Sequence, residues 1–106
     1  MFFKDLPTIS AKDLIAKLTS DEPTPPIVLD ARTRLEWNLS HIPNAVLAGH
    51  WHEASLQPNQ LVVCVCLSAH RSKHLTDRLI KQGINAVELQ GGMLAWWKAG
   101  LPTEKA

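Results

Sequence analysis

Leu61-Val62-Val63-Cys64-Val65-Cys66 is the stretch on which the fold turns. Six apolar residues in a row, three of them valine, read as a strand buried on both faces, as in a parallel sheet covered by helices. It is therefore expected to be the central strand. Beyond the interval Leu67 to His70, Leu75, Leu79 and Ile80 keep helical spacing as far as Gly83, a residue suited to a helix C-terminus. Ala86 to Leu89 reads as a further short strand, Gly91-Gly92 as a turn, and Met93 to Ala99 as a last helix that stops at Gly100 and Pro102.

Upstream, Ser10-Ala11-Lys12-Asp13 resembles a capping box with Asp in the place of Glu or Gln, and Leu14, Ile15 and Leu18 then recur at helical spacing, which gives a helix over about 10–19. Asp21 to Pro26 holds three of the seven prolines and reads as a loop. Ile27-Val28-Leu29, ending in Asp30, reads as a second buried strand. Thr33 to Leu39 suits a short helix, halted before a turn at His41-Ile42-Pro43-Asn44, because proline disfavours helical geometry in the residue before it. Ala45 to Ala48 is a candidate strand, and Gly49 to Gln60 has no clear period and is left as loop or short helix. Strands alternate with helices, so the expected class is α/β: one domain over 1–106 with a largely parallel sheet covered on both faces.

Composition removes several classes of function. Eleven basic and ten acidic residues are spread along the chain for a net charge of +1, so no basic stripe faces a phosphate backbone and nucleic acid is not an expected partner. Met1-Phe2-Phe3-Lys4-Asp5 has an apolar pair and then one charge of each sign, without the apolar stretch of a signal peptide. No segment approaches the roughly 20 apolar residues of a membrane span. The expectation is a cytoplasmic protein with no membrane partner. Cys64 and Cys66, one residue apart on a strand, point the same way without ordinary disulfide geometry, so reduced thiols are expected.

Cys66 lies where the central strand gives way to a loop and a helix, the place at which open α/β sheets bind ligands. A helix N-terminus offers amide donors and the positive end of its dipole. Arg71 adds a full charge there, and Ser68 and Ser72 add hydroxyl donors. Such surroundings favour a thiolate, and they suit a persulfide anion or the oxyanion end of a donor such as thiosulfate. The residues alone do not name the electrophile.

Cys66-Leu67-Ser68-Ala69-His70-Arg71-Ser72, followed by Leu79, Gly83, Val87, Leu89-Gln90-Gly91-Gly92, Ala95-Trp96 and Gly100-Leu101-Pro102, resembles the active-site half of the rhodanese family. Asp30-Ala31-Arg32 with Glu36-Trp37, and then His41-Ile42-Pro43-Asn44-Ala45, is similar to that family's Asp-x-Arg and His-Ile-Pro-Gly-Ala segments. The likeness runs from about Ile27 to Pro102. It implies a rhodanese-like fold and a sulfurtransferase that carries a sulfane sulfur on Cys66, with Leu67, Ser68, Ala69, His70, Arg71 and Ser72 forming the substrate cradle and no cofactor or metal. The implied partners are a small sulfur donor, a thiol or cyanide acceptor, and a sulfur-relay protein. A catalytically weak binding or regulatory module of the same kind is the alternative. Four residues separate Cys66 from Arg71; the related cell-cycle phosphatases and arsenate reductases place one more, and the smaller loop suits sulfur better than phosphate. Two residues of this loop depart from the family pattern. Ala69 stands where Gly is usual and carries strain if φ is positive there. Leu67 stands where many thiosulfate users have a basic residue.

Other chemistry-bearing residues have plainer readings. Cys64 falls inside the apolar run and is expected in the core. His50 and His52 flank Trp51 without an evident third metal ligand, and are read as surface or packing residues. His41 serves the turn. His70 is either an anion donor or an exposed side chain. Asp30, Arg32 and Glu36 could suggest acid–base chemistry, but an Asp-x-Arg at a strand end is expected to form an ion pair that ties loops together. Trp96 and Trp97 are adjacent on a helix, so one belongs to the core and the other near the surface.

Overall fold

A computed structural model describes residues 6–68 and 70–106. The readings placed on residues 1–5 and on the backbone of Ala69 lie outside it. In chain order the elements are β1 (Thr8–Ile9), α1 (Ala11–Leu18), β2 (Ile27–Asp30), α2 (Arg34–Leu39), β3 (Val46–Leu47), β4 (Val62–Val65), α3 (His70–Lys81), β5 (Ala86–Leu89) and α4 (Gly92–Lys98), with single 3-10 turns at 48–50 and 53–55. The strands form one sheet in the order β1-β5-β4-β2-β3, every pair parallel.

β4 is central, and all four of its residues are buried. Its continuous apolar run divides by alternation, as a strand between two helical layers requires. Val63 and Val65 face Leu14 of α1 and Met93 and Trp96 of α4, whereas Val62 and Cys64 face Leu75 and Leu79 of α3. Cys64 is a core residue, as expected, and neither cysteine is in a disulfide. Burial pushes the Cys64 thiol up to about 11.

Local chemistry explains the ends of the elements. Ser10 Oγ accepts from Asp13 N–H at 3.1 Å and caps α1. Thr33 and Glu36 form a complete capping box on α2. Asn44 has φ +66°, a left-handed conformation that asparagine adopts more readily than most residues and that glycine serves in the His-Ile-Pro-Gly-Ala pattern. Its N–H donates to Glu104 Oε1, so the departure from that pattern is accommodated.

Some boundaries differ from the sequence reading. β1 was not expected, because two residues carry no period; it exists through pairing with β5, Thr8 opposite Glu88 and Ile9 opposite Leu89. The strand expected over 61–66 is paired only over Val62–Val65. The strand expected over 45–48 shrinks to Val46–Leu47.

Candidate active site

Cys66 follows the last paired residue of β4 and is 1% exposed. Two contacts from α4 fix the peptides after it. Met93 N–H donates to Cys66 O at 2.8 Å and Leu94 N–H donates to Leu67 O at 3.0 Å. A trans peptide sets its C=O and N–H antiparallel, so pinning these carbonyls on α4 turns the amides of Leu67 and Ser68 away from it. Gly92 makes the approach possible. Its φ is +57°, and a Cβ there would lie 2.5 Å from Cys66 O and 2.6 Å from Leu67 O.

Around the loop, Leu67 and Ser68 are exposed, and His70 is exposed with its ring edge-on to His74 at 6.3 Å. Arg71 opens α3 and donates to Glu36 Oε1 and Oε2 at 2.8 and 2.9 Å, a bidentate pair between α3 and α2. This guanidinium, with the Thr33 amide, holds the Glu36 carboxyl down at about 2, and Glu36 in turn raises Arg71 further above its ordinary range. The sequence reading gave Arg71 charge to the sulfur; much of that charge is met by Glu36.

Ser72, expected as a hydroxyl donor of the cradle, lies beside the sulfur. In the structure its Oγ accepts from Cys66 Sγ at 3.5 Å and donates to Glu88 Oε2 at 3.3 Å, and Lys73 Nζ donates to Glu88 Oε1 at 2.8 Å. Ser72 is fully buried and Glu88 is 2% exposed. Sequence reasoning missed Glu88. It sits in β5 directly opposite Cys64, and only its place in the apolar strand Ala86-Val87-Glu88-Leu89 could have flagged a buried charge.

Asp30 and Arg32 form the expected pair, buried and bidentate at 2.8–3.2 Å, and Arg32 also donates to Ser40 O at 2.6 Å. The Arg32 guanidinium carbon lies 5.9 Å from the centre of the Trp97 ring. Trp97 is part-exposed while Trp96 is fully buried, as adjacent helical positions require. His41 stacks on Trp37 at 4.1 Å and shares its Nδ1 with Trp37 O, a structural role. His50 and His52 are exposed, the former against Arg34.

The family pattern of the rhodanese-like domain matches residues 10–99. The chain belongs to the rhodanese-like domain family. A rhodanese-like domain protein from Staphylococcus aureus shares 29% identity at TM-score 0.76, over 95% of this chain and 99% of that one. The rhodanese-like domain of an Anabaena sp. protein superposes at TM-score 0.80 with 26% identity, over 94% and 80% of the two chains. A thiosulfate sulfurtransferase from Pseudomonas aeruginosa also shares 29% identity at TM-score 0.76, over 95% of this chain but 20% of its own. An uncharacterized protein of Synechocystis sp. is 36% identical over 87 residues, so that the match spans 74% of this chain and about half, 47%, of the relative. Rhodanese-like architecture thus accounts for the parallel sheet, the loop after β4 and the second-half helix that holds that loop. No helix among the described residues is long and apolar enough to cross a membrane.

Proposed function

We propose that the protein is a sulfurtransferase in which Cys66 accepts a sulfane sulfur from a donor such as thiosulfate and passes it to a thiophilic acceptor, cyanide or a thiol. The observation that carries this reading is the placement of Cys66 at the carboxyl end of the central strand, in a six-residue Cys-to-Arg loop whose first two carbonyls are held outward by α4. In the first half-reaction the Cys66 thiolate attacks the outer sulfur of thiosulfate, the donor S–S bond breaks, and sulfite departs with the electron pair. In the second, cyanide attacks the outer sulfur of the persulfide, thiocyanate leaves, and Cys66 regains its thiolate. A persulfide S–S bond of about 2.05 Å carries the transferable atom beyond the buried Sγ. Amides of the loop and the start of α3 are the natural partners of that anion. A cytoplasmic setting and a sulfur-relay protein as physiological acceptor fit the same reading.

Intact-protein mass spectrometry after incubation with thiosulfate, with and without cyanide, tests it. The expected result is a gain of one sulfur atom, removed by cyanide, absent in Cys66→Ser and retained in Cys64→Ser. An adduct that survives in Cys66→Ser overturns the assignment.

A further inference from the structure

Six large apolar side chains are exposed among the described residues: Leu35, Leu39, Val46, Leu67, Leu94 and Trp97. Scattered singly they would need no explanation, but five of the six lie on one circuit at the active-site loop. Leu67 O accepts from Leu94 N–H at 3.0 Å. Leu94 and Trp97 stand three positions apart on α4 and share a face. Trp97 Nε1 donates to Ser40 Oγ at 3.0 Å, next to Leu39, and Leu39 lies four positions from Leu35 on α2. Glu36, beside Leu35, is paired with Arg71. Both ends of the Cys66-to-Arg71 loop are therefore on the circuit.

The charge of this rim has one sign. Its one carboxylate, Glu36, is bound to Arg71, whereas Arg34 beside Leu35 and Lys98 beside Trp97 are exposed and meet no carboxylate among the described residues. An apolar rim with unpaired cations fits an apolar segment that carries acidic residues. Depth narrows the occupant further. Cys66 is 1% exposed, and a persulfide extends the reactive sulfur by only about 2 Å, so an attacking protein thiolate has to sit on a protruding segment and not on a flat folded face.

We propose that this rim docks a sulfur-accepting protein through a protruding segment in which apolar residues and carboxylates flank the acceptor cysteine. This rests on the reading of Cys66 as the sulfur carrier and gives that carrier its acceptor. With the segment seated, the acceptor thiolate attacks the outer sulfur of the Cys66 persulfide. The bond between that sulfur and Sγ breaks, Cys66 departs as a thiolate with the electron pair, and the acceptor becomes the persulfide. Cyanide is too small to reach the rim and gains nothing from it.

The test uses short synthetic peptides with a central cysteine, flanked in one by leucine and glutamate, in a second by leucine and lysine, and in a third by glycine and serine. The full chain, loaded from thiosulfate, is mixed with each, and sulfur uptake is read from the peptide mass and corrected for each peptide's own thiolate fraction. At low concentration the leucine–glutamate peptide should accept sulfur about tenfold faster than the glycine–serine one, and its lead over the leucine–lysine peptide should shrink as salt rises. Leu35→Gln and Leu39→Gln, exposed changes to a good helix former, should each slow that peptide about threefold and leave discharge to cyanide unchanged. Equal rates for the first and third peptides, a lysine peptide as fast as the glutamate one in dilute buffer, or unchanged rates in both variants overturn the proposal. An equal loss with cyanide also overturns it, by making these residues part of the site itself. So does a wild-type dimer in sedimentation that the variants dissociate, which assigns the rim to a second copy of this chain. If the wild-type chain takes up no sulfur, the proposed function fails, and docking is read separately by amide NMR with the leucine–glutamate peptide carrying serine for cysteine. Shifts at 35–39, 67 and 94–98 support the rim, and their absence at millimolar peptide overturns it.

Discussion

Arg71 and Glu36 meet head-on, two guanidinium nitrogens against two carboxylate oxygens at 2.8 and 2.9 Å, and this pair ties the start of α3 to the start of α2. The same carboxylate closes the capping box with Thr33, so one side chain fixes a helix start and the position of the loop arginine. Glu36→Gln should destabilise the fold at neutral pH by about 1 kcal/mol or less, since both partners are part-exposed and water screens them. The pH dependence has a definite sign. With the folded carboxyl lowered from 4.5 to about 2, its stabilisation is fully present above the ordinary value and is lost as pH falls through that window. Acid unfolding of the two proteins should therefore converge toward pH 2. Curves that stay equally separated throughout would deny the ion pair its role.

Gly92 is the residue on which the loop's shape most depends. A methyl group at that position collides with two carbonyl oxygens and sits on a backbone with φ +57°. Gly92→Ala should cost about 2–4 kcal/mol, the range of strained backbone combined with overpacking. Urea unfolding measures the loss, and sulfur uptake by the folded fraction should fall with it, because the Cys66 and Leu67 carbonyls can no longer both reach α4. Wild-type stability in Gly92→Ala would mean that α4 shifts freely, contrary to the contacts seen.

Cys64 and Cys66 should differ sharply in solution. Cys64 is fully buried against α3 and its thiol is pushed up to about 11. Near pH 8 a small alkylating reagent mapped by peptide mass should modify Cys66 and leave Cys64 intact until the protein unfolds. The raised value also sets a linkage: the neutral thiol stabilises the fold below 9.0, and that contribution is lost as pH rises toward 11. Cys64→Ala, costing about 1 kcal/mol at neutral pH from lost packing, should therefore narrow its deficit as the solution becomes alkaline. A deficit that is constant from pH 7 to about 11 would place the thiol outside this linkage.

The parts of this molecule that could be read from sequence are those where one local signal suffices. The run 61–66 declared a central strand because no polar residue interrupts it, and Cys66 declared itself by standing at its end. Ser10 with Asp13 announced a helix start three residues apart. What stayed hidden depends on separations that no window spans. Arg71 finds Glu36 across 35 residues, and its compensation could not be seen from the loop. Glu88 meets Ser72 across 16 residues, and a glutamate in a short strand reads as solvent-facing until the helix packed over it is known. β1 is two residues long and owes its existence to β5.

Leu67 bears on the choice of sulfur donor. It is 38% exposed in the loop just beyond Cys66, so a longer side chain there can enter solvent without repacking the core. A cation at that point would attract a dianionic donor, and such attraction between exposed charges weakens as ionic strength rises. Leu67→Arg should lower the KM for thiosulfate several-fold in dilute buffer and lose most of that advantage near 1 M salt, where the screening length falls to about 3 Å. Turnover should change much less than KM, because the new charge acts on donor binding and not on the S–S bond being broken. Ala69→Gly provides the contrast: a backbone effect carries no net charge, so any change it brings should be nearly independent of salt. Steady-state cyanide assays on the three proteins at two ionic strengths separate the cases. If Leu67→Arg leaves KM unchanged in dilute buffer, charge at the loop mouth does not govern thiosulfate use. A persulfide or a partner protein would then not be favoured as the natural donor on this ground.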